Sequence, residues 1–86
     1  MPRDSEPGSA TVRYWAAARA AAGVESDVVS GCLTVGDAIA TVDALHPGLA
    51  SVTGVSTLLL DGRATARDQP LPDGSVLEVL PPFAGG

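Results

Sequence analysis

The apolar positions keep a two-residue period near both ends of the chain and a helical period between them. Residues 10–16, Ala-Thr-Val-Arg-Tyr-Trp-Ala, alternate as a strand, with Val12, Tyr14 and Ala16 on one face and Arg13 and Trp15 on the other. An alanine-rich run then closes at Gly23, the pattern of a short helical turn ended by a glycine cap. A second strand is predicted over 25–30, and so brief a link makes an antiparallel hairpin the simplest pairing. From Thr34 the period becomes helical. Val35, Ala38, Ile39, Val42 and Leu45 form one apolar stripe, Thr34 with Asp37 reads as a capping box, and Asp43 falls on the solvated face. His46-Pro47-Gly48 stops this helix. Residues 55–66 then read as two short strands about Asp61-Gly62, a dipeptide suited to a tight hairpin because both central positions need positive φ. Asp68 to Gly74 carries turn chemistry. The last strand is Ser75 to Leu80, with Leu77 and Val79 facing one way and Val76, Glu78 and Leu80 the other.

The order is therefore strand, strand, helix, strand, short strand, strand. This predicts an α+β fold in which one main helix packs across a mixed sheet of four to five strands, the β-grasp or ubiquitin-like arrangement. In it the first and last strands run parallel at the centre of the sheet, so whatever follows residue 80 leaves from a rigid element. The expected organisation is a flexible N-terminal segment over 1–9, one domain over 10–80 and an extended tail over 81–86.

Composition narrows the partners. A chain of 86 residues hides only about 60% of its unfolded surface, enough for one modest core without a deep enclosed active site. Ten acidic residues stand against five basic ones, all arginine, for a net charge of −5. Such a surface repels phosphate backbones, which argues against nucleic acid, and favours encounter with an electropositive protein. A single cysteine, Cys32, precludes an internal disulfide and suits a reducing compartment. No apolar run approaches the roughly 18 residues of a membrane span, and the first nine residues lack a signal peptide's pattern, so the expected location is cytoplasmic with no membrane partner.

The chain stops on Leu80-Pro81-Pro82-Phe83-Ala84-Gly85-Gly86. Six residues from Pro81 reach about 20 Å when extended, at some 3.3 Å each. The two prolines remove donors, end the strand and stiffen the root, which lowers the ordering entropy lost on insertion into a partner. Gly85 and Gly86 let a narrow tunnel close on bare backbone, and Phe83, the only phenylalanine, is a candidate anchor. The alternative is a tail that merely ends the strand. If Val76 and Leu80 lie outside the core, Trp15 either joins them in a docking patch at the tail's base or belongs to the core.

Two stretches carry a family resemblance. Leu71-Pro72-Asp73-Gly74, the apolar strand, Pro81-Pro82, one apolar position and the final Gly-Gly resemble the C-terminal signature of the MoaD/ThiS-type sulfur carriers, most of all the small subunits of molybdopterin synthase. Residues 11–23 are similar to that family's opening strand and helical turn. The chain departs from it in carrying Asp61 where asparagine is common and in its extra N-terminal stretch. The resemblance implies that an ATP-dependent activating enzyme adenylates the Gly86 carboxylate and that a sulfur donor then displaces AMP to leave a thiocarboxylate. Within the synthase large subunit that sulfur would pass to a cyclic pterin precursor, in molybdenum cofactor biosynthesis. Leu80, Val76, Trp15 and residues Pro81, Pro82, Phe83, Ala84 and Gly85 would contact partners, and the chain itself would bind no cofactor and no metal. Other readings are a carrier for thiazole or cysteine synthesis, a ubiquitin-like modifier forming isopeptide bonds through Gly86, and an interaction module with an inert terminus. His46 at a helix end and Cys32 without a CxxC partner read as structural. The sequence holds no phosphate loop, metal-ligand cluster or nucleophile–base pair.

Overall fold

A computed structural model describes residues 8–82 of the chain; Met1–Pro7 and Phe83–Gly86 lie outside the described residues. The elements run β1 (Ser9–Tyr14), α1 (Ala16–Ala22), β2 (Ser26–Ser30), α2 (Val35–Leu45), α3 (Ala50–Thr53), β3 (Thr57–Leu60), β4 (Arg63–Ala64) and β5 (Ser75–Leu80). They form one five-stranded sheet in the order β2-β1-β5-β3-β4. β1 and β5 are parallel neighbours at its centre, with Val12 beside Leu77 and Tyr14 beside Val79. β2 joins β1 and β3 joins β5, both antiparallel. This is the β-grasp fold expected from the sequence. Strict alternation on β5 explains its central place, since Ser75, Leu77 and Val79 are buried and Val76, Glu78 and Leu80 face outward.

The inner face of the sheet packs against α2. Val35, Ala38, Ile39 and Val42 are fully buried and meet Val12, Leu77 and Val79 in one cluster. Burying a side chain such as Ile39 contributes about 1.5–3 kcal/mol. The capping box forms: Thr34 Oγ1 accepts from the Asp37 amide at 3.1 Å, and Asp37 Oδ2 accepts from the Thr34 amide at the same distance. Leu45 does not extend the stripe as expected, being 56% exposed. Counting four residues on from Val42 rather than three reaches His46, and it is His46 that turns inward. Leu49, buried at the N-cap of α3, fills the core beyond the helix end, and Leu71 reaches it from the loop before β5. That loop is strapped across the start of α2 by Val35 N–H to Gln69, Gly36 N–H to Arg67 and Leu71 N–H to Leu33.

The turns follow their residues. Gly23 caps α1 at φ 78°, and Asp61 and Gly62 adopt φ 49° and 87° in the β3–β4 hairpin. Asp61 also serves β5: its backbone N–H donates to the Val76 carbonyl, and its Oδ1 accepts from the Val76 amide at 2.9 Å. Ala16 departs from the expected strand face. It opens α1 at φ 50°, an unfavourable angle for a side-chain-bearing residue, where the chain turns sharply out of β1.

The root of the C-terminal tail

β5 is held on one side through Leu80 and on the other through Val79. Thr57 pairs with Leu80 on one flank, and on the other the Trp15 amide donates to the Val79 carbonyl at 3.3 Å. The chain therefore enters Pro81 from a strand paired on both flanks. Pro81 is half-buried and Pro82 exposed. Neither donates a backbone hydrogen bond, so the ladder ends at Leu80.

Trp15, Ala16, Leu80 and Pro81 enclose an apolar pocket of about 310 Å³ at this root. Trp15 is 39% exposed and stands outside the core, so it is not the core residue that one of the two expectations made it. Its ring is held by two neighbours on the outer face. The Arg13 guanidinium carbon sits 5.1 Å from the ring centroid, and Trp15 Nε1 donates to Glu78 Oε2 at 3.2 Å. Arg13 and Glu78 are themselves register partners across the parallel pair. Val76 shares the outward face with Leu80 but lies four residues back along β5, roughly 13 Å at strand rise. The pocket thus gathers Trp15, Leu80 and Pro81 from the expected partner residues and leaves Val76 apart. Phe83, Ala84, Gly85 and Gly86 lie outside the described residues. Ala16 and Glu78 are additions; the signal was available in the outward parity of Glu78 and in the position of Ala16 directly after the tryptophan. A shallower groove of about 480 Å³ lies at the far end of β3, between Leu60, the β4 hairpin and Gln69.

The inner side of the β1–β2 hairpin holds a polar cluster that the sequence did not disclose. Asp27 Oδ2 accepts from the Tyr14 hydroxyl at 2.7 Å and lies 2.6 Å from His46 Nε2, with the Tyr14 and His46 rings edge to face. Burial alone would raise the Asp27 pKa, but the hydrogen bonds from His46 and Tyr14 outweigh it and hold the carboxyl below its usual range. Burial first, and then the bond to Asp27, push the Tyr14 phenol well above its ordinary value. His46 is accordingly structural, as expected, but with two partners rather than none. Asp43 is half-buried rather than on a solvated face, because it accepts from the Thr53 hydroxyl of α3 at 3.0 Å. Cys32 is buried as a small apolar residue. Among the described residues no three His, Cys, Asp or Glu side chains gather as metal ligands, and no helix is long and apolar enough to cross a membrane.

The ThiS family matches residues 12–86. The chain belongs to the ThiS family. No curated protein matches it. Among solved structures, SAMP1 from Haloferax volcanii is 30% identical, with a TM-score of 0.81 over 92% of this chain and 100% of that one. A Pyrococcus furiosus protein assigned to molybdopterin converting factor, subunit 1, is 25% identical, with a TM-score of 0.77 over 88% and 99%. The complex of subunits 1 and 2 of molybdopterin-converting factor from Helicobacter pylori matches at 23% identity and a TM-score of 0.68 over 91% and 99%, a likeness of fold. The ThiS-family chain thus has the ubiquitin-like fold shared by the sulfur carriers and SAMP1.

Proposed function

We propose that this chain is a sulfur carrier and the small subunit of a molybdopterin synthase, with Gly86 as its reactive group. The observation that carries the reading is the pinning of β5 through Leu80 beside an apolar pocket, from which a six-residue tail ending in Gly-Gly departs. An activating enzyme binds ATP, and the Gly86 carboxylate attacks the α-phosphate with loss of pyrophosphate. A sulfur donor then adds its sulfur to the acyl carbon, AMP leaves, and a thiocarboxylate remains. Inside the large subunit this sulfur passes to a cyclic pterin precursor. Two charged copies are consumed for a product with two sulfurs. The body supplies presentation and docking, with Trp15 and Leu80 as the anchoring surface, while catalytic acids, bases and cations come from the partners. The net charge of −5 speeds encounter with an electropositive partner.

The Helicobacter pylori complex supports a partner of this kind, and the Pyrococcus furiosus likeness supports the pterin branch. The 30% identity to SAMP1, whose Methanosarcina acetivorans namesake is titled small archaeal modifier protein 1, favours one second reading, in which Gly86 forms isopeptide bonds on other proteins. Adding one residue after Gly86 tests the assignment. The extended chain keeps the wild-type circular dichroism spectrum and melting temperature and loses ATP–pyrophosphate exchange with the activating enzyme. Full exchange by the extended chain would overturn the reading.

A further inference from the structure

An activated Gly86 is an electrophile, and every nucleophile on the same chain competes with its intended acceptor. The competent side chains are amines, thiols, imidazoles and phenols; hydroxyls of serine and threonine are weak without a base. The sequence contains no lysine, and its five basic side chains are arginines, which stay protonated. The single thiol, Cys32, is 3% exposed, with Sγ 3.7 Å from the Ser30 carbonyl oxygen and from Thr41 Oγ1. The single phenol, Tyr14, is 2% exposed and donates its proton to Asp27. The single imidazole, His46, is half-buried with Nε2 against the same carboxylate oxygen. Burial and Asp27 keep the Tyr14 phenol protonated, so it offers no phenolate.

Resting on the reading of Gly86 as the activated group, we propose that this body is a donor without an acceptor: none of its side chains captures the activated terminus, of its own chain or of another copy. Capture by an amine would form a C–N bond, break the bond to the leaving group, release AMP with its electron pair and free one proton from nitrogen. The chain offers no side chain for that step. The chemical consequence extends to both functional readings. A carrier of this composition holds its thiocarboxylate or adenylate without capture by its own side chains, and a modifier of this composition builds no chains through its side chains, which leaves the α-amine as the one competing amine and is why the test blocks it.

The test bypasses the activating enzyme. An N-terminally acetylated chain is prepared with Gly86 as an alkyl thioester by intein cleavage, then held at mildly alkaline pH and followed by intact mass. A Thr57→Lys variant is treated alike; Thr57 is exposed and paired with Leu80, within the tail's reach of about 20 Å. The expected result is that the wild-type chain converts only to the free acid, while the variant accumulates an amide one water lighter. Body capture in the wild type at the variant's rate would overturn the proposal. So would a variant that forms no amide, since protection would then owe nothing to the missing nucleophiles. Failure of the activating enzyme to adenylate the wild type would instead sink the reading of Gly86 and leave this chemistry standing.

Discussion

His46 Nε2 lies 2.6 Å from Asp27 Oδ2, joining the end of α2 to the edge strand β2. The same oxygen takes the Tyr14 hydroxyl, so one carboxylate ties together three elements of the core's rim. His46 stands where a fifth apolar residue would continue the stripe, and this pairing is what allows a polar ring to occupy that slot.

That arrangement fixes the acid limb of stability. The folded Asp27 pKa lies below the ordinary carboxylate value of about 3.9. Its contribution is therefore complete above that value and is lost as pH falls through the folded one. Asp27→Asn is expected to cost about 1–2 kcal/mol at pH 7, by weakening two half-buried hydrogen bonds. It should also flatten the decline of stability below about pH 4. Urea unfolding followed from pH 2 to 7 checks this, and an unchanged acid slope in the variant would refute the linkage.

Ala16 holds φ 50° where β1 turns into α1. A side chain there costs about 1–2 kcal/mol relative to an unstrained residue. Ala16→Gly is expected to be neutral or stabilising by up to about 1 kcal/mol, and Ala16→Val to destabilise by more than about 1 kcal/mol. Thermal melts of the two variants measure the difference. Equal melting temperatures would show that the corner is unstrained.

Trp15 is the predicted anchor of the partner surface. Because it lies outside the core, Trp15→Ala should lower fold stability by no more than about 1 kcal/mol. It should weaken binding to the large subunit proposed as its partner by roughly 30-fold, the scale of a hot-spot residue near 2 kcal/mol. Chemical unfolding and titration calorimetry separate the two effects. A variant that loses its fold, or that binds the large subunit as tightly as the wild type, would remove the docking role.

Much of this architecture is legible in the sequence, for reasons that differ by element. β5 announces itself because inward Leu77 and Val79 alternate with outward Val76, Glu78 and Leu80, and Asp61-Gly62 because few dipeptides adopt two positive φ angles without strain. The helix start is legible because Thr34 and Asp37 satisfy each other locally. Its end is legible too, in His46-Pro47-Gly48, but which of Leu45 and His46 turns inward is not: that depends on Asp27, which is nineteen positions from His46 and carries no mark of its role. α3 escapes notice because its four residues, Ala50–Thr53, are too short to show a period, and Leu49 and Leu71 because single buried residues in loops have no pattern around them. The tail root is half legible. Outward parity and the four-residue spacing on β5 already separate Val76 from Leu80, but that Trp15 sits at the Leu80 end emerges only from the register of β1 on β5.

The most direct test of the account is the mass of the intact chain after incubation with its activating enzyme, ATP and a sulfur donor. The account predicts that one oxygen of the Gly86 carboxylate is replaced by sulfur, located at the C-terminal residue by fragmentation. An unchanged mass, under conditions where a known ThiS-family carrier is converted, would contradict it.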